Sequence, residues 1–263
     1  MYRFLLSRQW VILTLLGLVM IPTMVKLGYW QLHRHERRVA NNHLISQNVE
    51  AAAVPVERLA APGKAVPRRD LYRSVSATGH YDTAHEVVAR QRTAADGQKN
   101  GYHVITPLVL DDGRAVLVNR GWIDAGGGLT ALPKIPAAES GEITVTGRLR
   151  PDETSSSTGI RNKSGLPDRM IMLINAADLA GTSPQPLLGG YLELATTSPK
   201  PSGTQPELIP QPDDSSIGPH MAYAVQWWLF SAMVPVGWVI LVRRERKERI
   251  AGQQSRKSVP VAV

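Results

Sequence analysis

The sequence predicts an integral membrane protein in which two transmembrane α-helices, one near each end, flank a mainly antiparallel, barrel-like β domain on the outer side of the membrane. Three features predict it. Hydrophobic residues make up an ordinary 43% of the chain, yet they cluster near its two ends. The middle alternates with a period of two between turn signals. A basic run follows the second apolar segment directly. The chain divides into a cytoplasmic N-terminus (1–9), a first span (10–27), a β-rich extracytoplasmic region with linkers (28–222), a second span (223–242) and a basic cytoplasmic tail (243–263).

The first span, Trp10 to Leu27, reads WVILTLLGLVMIPTMVKL. Its one charge, Lys26, sits at the end, where its stem can snorkel. A cleavable signal peptide would have a shorter apolar core and a small-x-small cleavage site. Here Gly28-Tyr29-Trp30-Gln31-Leu32 and then charges follow, so an uncleaved anchor is expected. The second span, Tyr223 to Val242, has no charged residue. Trp227 and Trp228 stand near its start and Trp238 near its end, where interfacial aromatics belong. Pro235 and Gly237 are tolerated in membrane helices, and a soluble core helix is rarely apolar all round.

Orientation follows from flanking charge. Arg243 to Lys257 carries seven Lys or Arg against two Glu, which makes that end cytoplasmic. The first span argues weakly the other way: Arg3 and Arg8 precede it, while Lys26, Arg34, Arg37 and Arg38 follow. The larger asymmetry decides, and two spans then put both termini in the cytoplasm.

The net charge of +8 is largely explained by that tail. No helix-turn-helix, RNP or zinc pattern accompanies it, so no nucleic-acid partner is expected and the membrane lipid surface is the natural one. The absence of cysteine excludes disulfides, CxxC redox chemistry and thiolate metal sites.

Between the spans, residues 28–50 have no Pro and no Gly after Gly28, and read as a helical continuation. Pro and Ala dominate to Pro67, as in a linker. Strands are expected at Leu71–Asp82, Glu86–Arg92, Gly101–Leu110, Arg114–Ile123, Gly141–Arg150, Met170–Ile174 and Pro186–Thr196, with a helical turn at Ala176–Leu179. Asp111-Asp112-Gly113 is a hairpin turn, since Asp-Gly tolerates positive φ. Thr154–Gly165 reads as a flexible Ser-rich loop, and Thr197–Pro219 as the return to the membrane. No catalytic constellation stands out: there is no G-x-S-x-G, H-E-x-x-H or P-loop, and Gly126-Gly127-Gly128 is a loop rather than a phosphate cradle.

Several stretches together resemble the Surfeit locus protein 1 family of cytochrome c oxidase assembly factors. They are Leu27-Gly28-Tyr29-Trp30-Gln31-Leu32 with Arg34; Gly79-His80-Tyr81-Asp82; Gly101-Tyr102-His103-Val104 with Thr106-Pro107-Leu108; Val116 through Ile123, which contains Asn119-Arg120-Gly121-Trp122; Val145 to Arg150; and Pro219-His220-Met221-Ala222-Tyr223-Ala224-Val225-Gln226-Trp227-Trp228. They come in family order and cover most of the chain. The Arg-His-Glu-Arg-Arg run after the first span and the Ser-rich and Pro-rich loops depart from the pattern. The resemblance implies a non-catalytic membrane chaperone that helps deliver or insert haem A into the largest subunit of the oxidase, cytochrome c oxidase subunit I, with haem A synthase as a further partner. It implies His220 as a haem-iron ligand.

On their own chemistry these residues keep two readings. His220 is an imidazole at the outer end of a span, suited to axial ligation, with Trp227 and Trp228 placed deeper to pack a porphyrin edge. Alternatively, His220 is a flank residue with a local hydrogen bond and the tryptophans are an interface belt. Gln226, inside the span, calls for a helix partner, and Gln31 is the candidate. Arg120 suits a haem propionate or a partner carboxylate; alternatively it stacks on Trp122 or forms an ion pair inside the domain. His33, His35 and His43 are expected to be solvated, and His80, His85 and His103 to be ordinary surface or satisfied residues. The rival functions are a membrane-anchored protein-binding scaffold without haem and a membrane-anchored enzyme. Lacking an Arg- and Ser-rich presequence, the N-terminus favours the bacterial plasma membrane over the mitochondrial inner membrane.

Overall fold

A computed structural model describes residues 3–126 and 132–257. Gly127, Gly128 and the last residues of the basic tail lie outside them. The chain forms two compact units: one holds the residues up to Asn42 and those from Ser215 onward, the other spans His43–Asp214.

The terminal unit is a helix pair. After a short 3-10 turn at Arg3–Leu6, helix α1 runs unbroken from Arg8 to Glu50, through Pro22 and well past the expected end of the span. Thr14 and Thr23 turn their hydroxyls back onto the Trp10 and Val19 carbonyls, both at 2.8 Å, so neither polar group needs water. Helix α4 covers His220–Lys257. Pro219 stands immediately before it, where a missing N–H costs nothing, and its carbonyl accepts from Tyr223 N–H at 3.1 Å. Both helices are long and apolar enough to cross a membrane. Their large side chains point outward: Leu16, Leu18 and Val19 on α1, and Leu229, Met233 and Val236 on α4, are all exposed. A core helix of a soluble domain would bury them.

Small residues let the two helices meet. A Cβ on Gly17 would lie 3.4 Å from Val234 Cγ1, ordinary van der Waals contact, and the Trp238 indole N–H donates to Thr14 Oγ1 at 3.0 Å. That bond satisfies the one polar group of Trp238 inside an apolar stretch. Trp10 meets Trp238 edge-on at 6.5 Å.

The second unit is a closed barrel. Its strands are β1 (Val54–Pro55), β2 (Ser74–Tyr81), β3 (Val87–Thr93), β4 (Asn100–Leu110), β5 (Ala115–Asp124), β6 (Ile143–Arg150), β7 (Met170–Ile171) and β8 (Leu187–Ser198). The order β2-β6-β8-β5-β4 closes through a further β2–β4 pairing. Strand β4 makes that closure possible by serving two neighbours. Its first half pairs with β3 (Val87↔Ile105) and its last residues with β2 (Tyr81↔Leu108, Gly79↔Leu110). Gly79 is needed there, because any Cβ would strike the Val109 carbonyl. The expected hairpin turn forms between β4 and β5, with Gly113 at φ 80°.

The expected elements appear, with four differences. The sheet, mainly antiparallel as expected, also contains the parallel pairings β5–β8, β1–β2 and β3–β7, the first of them through the long crossover that returns the chain beside β5. The expected linker at 51–67 is structured: Val56, Ala60 and Val66 are buried in the barrel core. Asn48 fixes the chain around it by donating to the Arg69 and Leu71 carbonyls, both at 2.8 Å. The Ser-rich loop contains a short helix, α2 (Ser155–Thr158), opened by a capping box on Thr154 and closed by Gly159 at φ 72°. The strand expected over 170–174 is only two residues long, after which the chain leads into α3 (Ala176–Leu179).

The barrel interior is filled by alternate residues such as Val75, Leu108, Val118, Val145, Leu149 and Leu192. A second apolar cluster covers the outside of β4, β5 and β8, where Ile174 and Ala176 pack on Ile105, Leu117 and Tyr191. Two buried faces explain why β5 opens on the unbroken apolar run Ala115–Val118.

Candidate functional site

The sequence-selected residues fall into both units. In the helix pair, His220 is the first residue of α4 and half-buried. Its Nδ1–H donates to Gln31 Oε1 at 3.0 Å. On the other side of the ring stands Gly218, at φ 65°. A Cβ on Gly218 would come within 3.4 Å of both Cδ2 and Nε2 of His220, and glycine leaves that space clear. Among the described residues Nε2 has no hydrogen-bond partner. The approach to the helix is itself tied down: Arg38 Nε and Asn42 Nδ2 both donate to the Ser216 carbonyl, at 3.0 and 3.1 Å. The imidazole is thus held from α1 at Nδ1, with Gly218 rather than a side chain beside Nε2.

Deeper along the pair, Trp228 lies against α1 where Gly28 exposes the backbone; a side chain at position 28 would overlap the indole. Tyr29 meets the same indole edge-on at 5.6 Å. Trp227, its neighbour in sequence, points about 100° away around the helix and contacts Phe230 instead, at 6.2 Å. The structure therefore makes two separate contacts between the helices, His220 with Gln31 and Trp228 with Gly28 and Tyr29, and Trp227 and Gln226 take part in neither.

Gln226 does not pair with Gln31. Gln226 is exposed and makes no hydrogen bond among the described residues, while Gln31 is taken by His220. The reason is depth: six residues along α4 put Gln226 about 9 Å further in than His220. Nor is the His220 bond a local one, since its partner lies on the other helix. His35, expected to be solvated, is half-buried with Nδ1 enclosed and unpartnered. It follows Gln31 by one helical turn on the same face of α1.

Arg120 belongs to the barrel unit, with 1% of its surface exposed. A β-bulge puts it there: Val104 faces Gly121 and Ile105 faces Asn119, so Arg120 is the extra residue. Its guanidinium bonds Glu86 Oε2 at 3.0 Å, the Pro136 and Ala137 carbonyls, and Gln205 Oε1 at 3.1 Å. Glu86 also accepts from Thr106 Oγ1 at 2.7 Å. The ring beside Arg120 is Tyr81, 5.6 Å away, rather than Trp122, whose indole N–H donates to the Arg92 carbonyl. This is the internal ion pair of the two sequence readings, next to a cavity of about 520 Å³ between the end of β8 and the return segment. Gly121 supplies the backbone: at φ 133° it lets the Glu207 carbonyl reach Trp122 N–H at 2.7 Å.

A polar layer outside the barrel has no local signal in the sequence beyond the residue types themselves. There His103 accepts from Asn119 Nδ2 at 3.2 Å. Burial pushes its pKa down to about 3, helped by Arg92 and Arg150. Around it Arg92 pairs with Glu153 at 2.6 Å, and Arg148 and Arg150 share Glu193. Burial and the nearby carboxylates raise the Tyr191 hydroxyl, with Arg150 opposing. The ion-pair partners are separated by 43 to 61 residues, a distance no local pattern reveals.

Comparison with known proteins yields a family and several relatives. Residues 18–232 match the model of the SURF1 family. An uncharacterized SURF1-like protein of Mycobacterium bovis is 28% identical over 244 residues, covering 89% of this chain and 85% of the relative. A counterpart from Mycobacterium tuberculosis gives the same figures. A SURF1-like protein of Rickettsia bellii is 27% identical over 105 residues, covering 40% of this chain and 41% of its own. The matched stretch contains Gln31, Arg120, Gly218, His220 and Trp228.

Proposed function

Because the chain belongs to the SURF1 family, we propose that it is a membrane-bound, non-catalytic assembly factor for cytochrome c oxidase that handles haem A on its way into subunit I. The observation that carries the proposal is the state of His220: one ring nitrogen is held by Gln31, and the other, beside a glycine, has no hydrogen-bond partner among the described residues. A neutral imidazole with a free Nε2 lone pair is a common axial ligand for haem iron. The residues fit such a cargo. Gly218 is a cradle that a Cβ would fill, and the aromatic rings of Tyr29 and Trp228 stand on the same helix pair. Haem supplies iron and an apolar macrocycle; the chain supplies an imidazole donor and an apolar surface at the outer end of the pair. One imidazole holds the cargo less tightly than a complete pair of axial ligands would, which suits a carrier that must release it. Haem A synthase is the natural donor and subunit I the acceptor.

In this reading the two helices span a bacterial plasma membrane, both termini are cytoplasmic, and the barrel lies outside. The charge-free run of α4 and its basic continuation support that orientation. A reporter fused at residue 150 is expected to be active only outside the cytoplasm.

The deciding experiment is deletion of the gene, with oxidase activity and the haem a spectrum measured in the membranes. Loss of the haem a signal is expected. An intact oxidase would overturn the proposal and favour a protein-binding scaffold without haem. Purification of the full chain from native membrane, with pigment analysis of wild type and His220→Ala, then tests the ligand: equal haem content in both removes His220.

A further inference from the structure

We infer that Gln31 is a positioning residue for His220, holding the imidazole in the tautomer that presents Nε2, rather than Nδ1, to haem iron. The inference rests on the haem-handling reading above and assigns a role to the first helix in a site otherwise built on the second.

The argument begins with the hydrogen bond. Gln31 meets His220 through its amide oxygen, at 3.0 Å from Nδ1. An amide oxygen only accepts, so Nδ1 carries the proton of this bond, and in the neutral ring the lone pair then lies on Nε2. Without that partner a neutral imidazole exchanges between tautomers, and part of the population offers an N–H where iron needs a donor pair. Gln31 also fixes the ring plane. Gly218, on the opposite edge, places no side chain beside Nε2. Histidines that bind metals usually donate their second ring N–H to a carboxylate or carbonyl group, and loss of that partner costs about 10- to 100-fold in metal affinity.

The choice of an amide over a carboxylate has a chemical consequence. A carboxylate accepting the same N–H pulls the imidazole toward imidazolate and makes Nε2 a stronger donor, most strongly toward ferric iron in a low-dielectric setting. An amide gives orientation without that charge. Gln31 therefore gives aim while keeping the grip moderate, as a protein that passes its cargo on requires.

The test uses the purified full-length protein in detergent, titrated with haem A, comparing wild type with Gln31→Leu, Gln31→Glu and His220→Ala. The expected result for Gln31→Leu is affinity about tenfold weaker. Gln31→Glu is expected to restore binding, as it keeps an acceptor, and to lower the midpoint potential of the bound haem relative to wild type. A purely structural role for Gln31 would not move that potential. Nitrogen NMR of the haem-free protein should show the His220 Nδ1 protonated in wild type and a tautomer mixture in Gln31→Leu. Wild-type affinity and potential in both Gln31 variants, with binding abolished in His220→Ala, would overturn the inference and leave the haem reading standing. Gln31→Glu tracking Gln31→Leu in affinity and potential would also overturn it. Haem A binding unchanged in His220→Ala defeats the haem reading itself.

Discussion

The Nδ1–H of His220 donates to Oε1 of Gln31, a residue 189 positions earlier in the chain. The bond joins the middle of α1 to the first residue of α4 and orients the imidazole that begins α4. Four consequences for the molecule can be measured.

Gly218→Ala should disturb the site while leaving His220 in place. The new Cβ would approach Nε2 and Cδ2 to 3.4 Å, on a backbone at φ 65° that disfavours side chains. The strain costs roughly 1 kcal/mol. Haem A affinity should fall, while thermal stability in detergent falls only slightly. Unchanged affinity would mean that the open edge of the ring is not the binding edge.

The helix pair is testable through the chain's lack of cysteine. Gly17→Cys with Val234→Cys should form a disulfide under mild oxidation, since the Gly17 Cβ position and Val234 Cγ1 lie 3.4 Å apart. Mass spectrometry of the digested protein reads the cross-link. Adding Gly28→Leu should suppress it, as the leucine displaces the Trp228 indole from α1.

Arg120→Met removes the buried cation of an ion pair and leaves the enclosed Glu86 carboxylate with only the more exposed Arg169, at 3.5 Å, as a charged partner. Breaking such pairs costs about 3–5 kcal/mol. Chemical denaturation of the full chain, followed by far-UV circular dichroism of the β signal, should show a loss of that order. Adding Glu86→Gln should recover part of it, because the stranded charge is gone. The same single variant separates the two readings of Arg120: loss of stability with retained haem A titration belongs to the internal ion pair, whereas loss of affinity in the folded protein belongs to a propionate partner.

His103 sets an acid limit on the barrel. Burial holds its folded pKa at about 3, below its ordinary value of 6.5, so the native state binds fewer protons than the unfolded chain. Stability contributed by the neutral ring is complete above about pH 6.5 and is lost as pH falls toward 3. The slope is at most about 1.4 kcal/mol per pH unit. His103→Gln should flatten the stability profile in that window, as read by denaturation midpoints at several pH values. An equally steep profile in the variant would assign the acid sensitivity to other groups.

Much of this protein was legible locally. The expected strands at 101–110 and 114–123 agree with β4 and β5 to within about a residue at each end, because alternation and an Asp-Gly turn are properties of adjacent residues. The helical turn at Ala176–Leu179 was read at its full extent. The segment at 51–67 was not, since its Pro and Ala content signals a linker while its few apolar residues fill a core built from strands elsewhere. Among site residues, the place of His220 and Trp228 at the start of a span is legible in the sequence, whereas the partner of Gln31 is His220 and not the expected Gln226.

By itself the sequence determined two apolar helices, a run of strands between them and the residue types available for chemistry, since hydrophobic period and turn composition act over a few residues. Only the tertiary structure decided that β2 closes on β4, that a bulge turns Arg120 toward Glu86, and that Gln31 meets His220 while Gln226 faces away. Those relations depend on strand register, helix rotation and depth, which are set by how distant surfaces pack. A shift of one residue in any of them changes which side chains meet, and no local pattern encodes that choice.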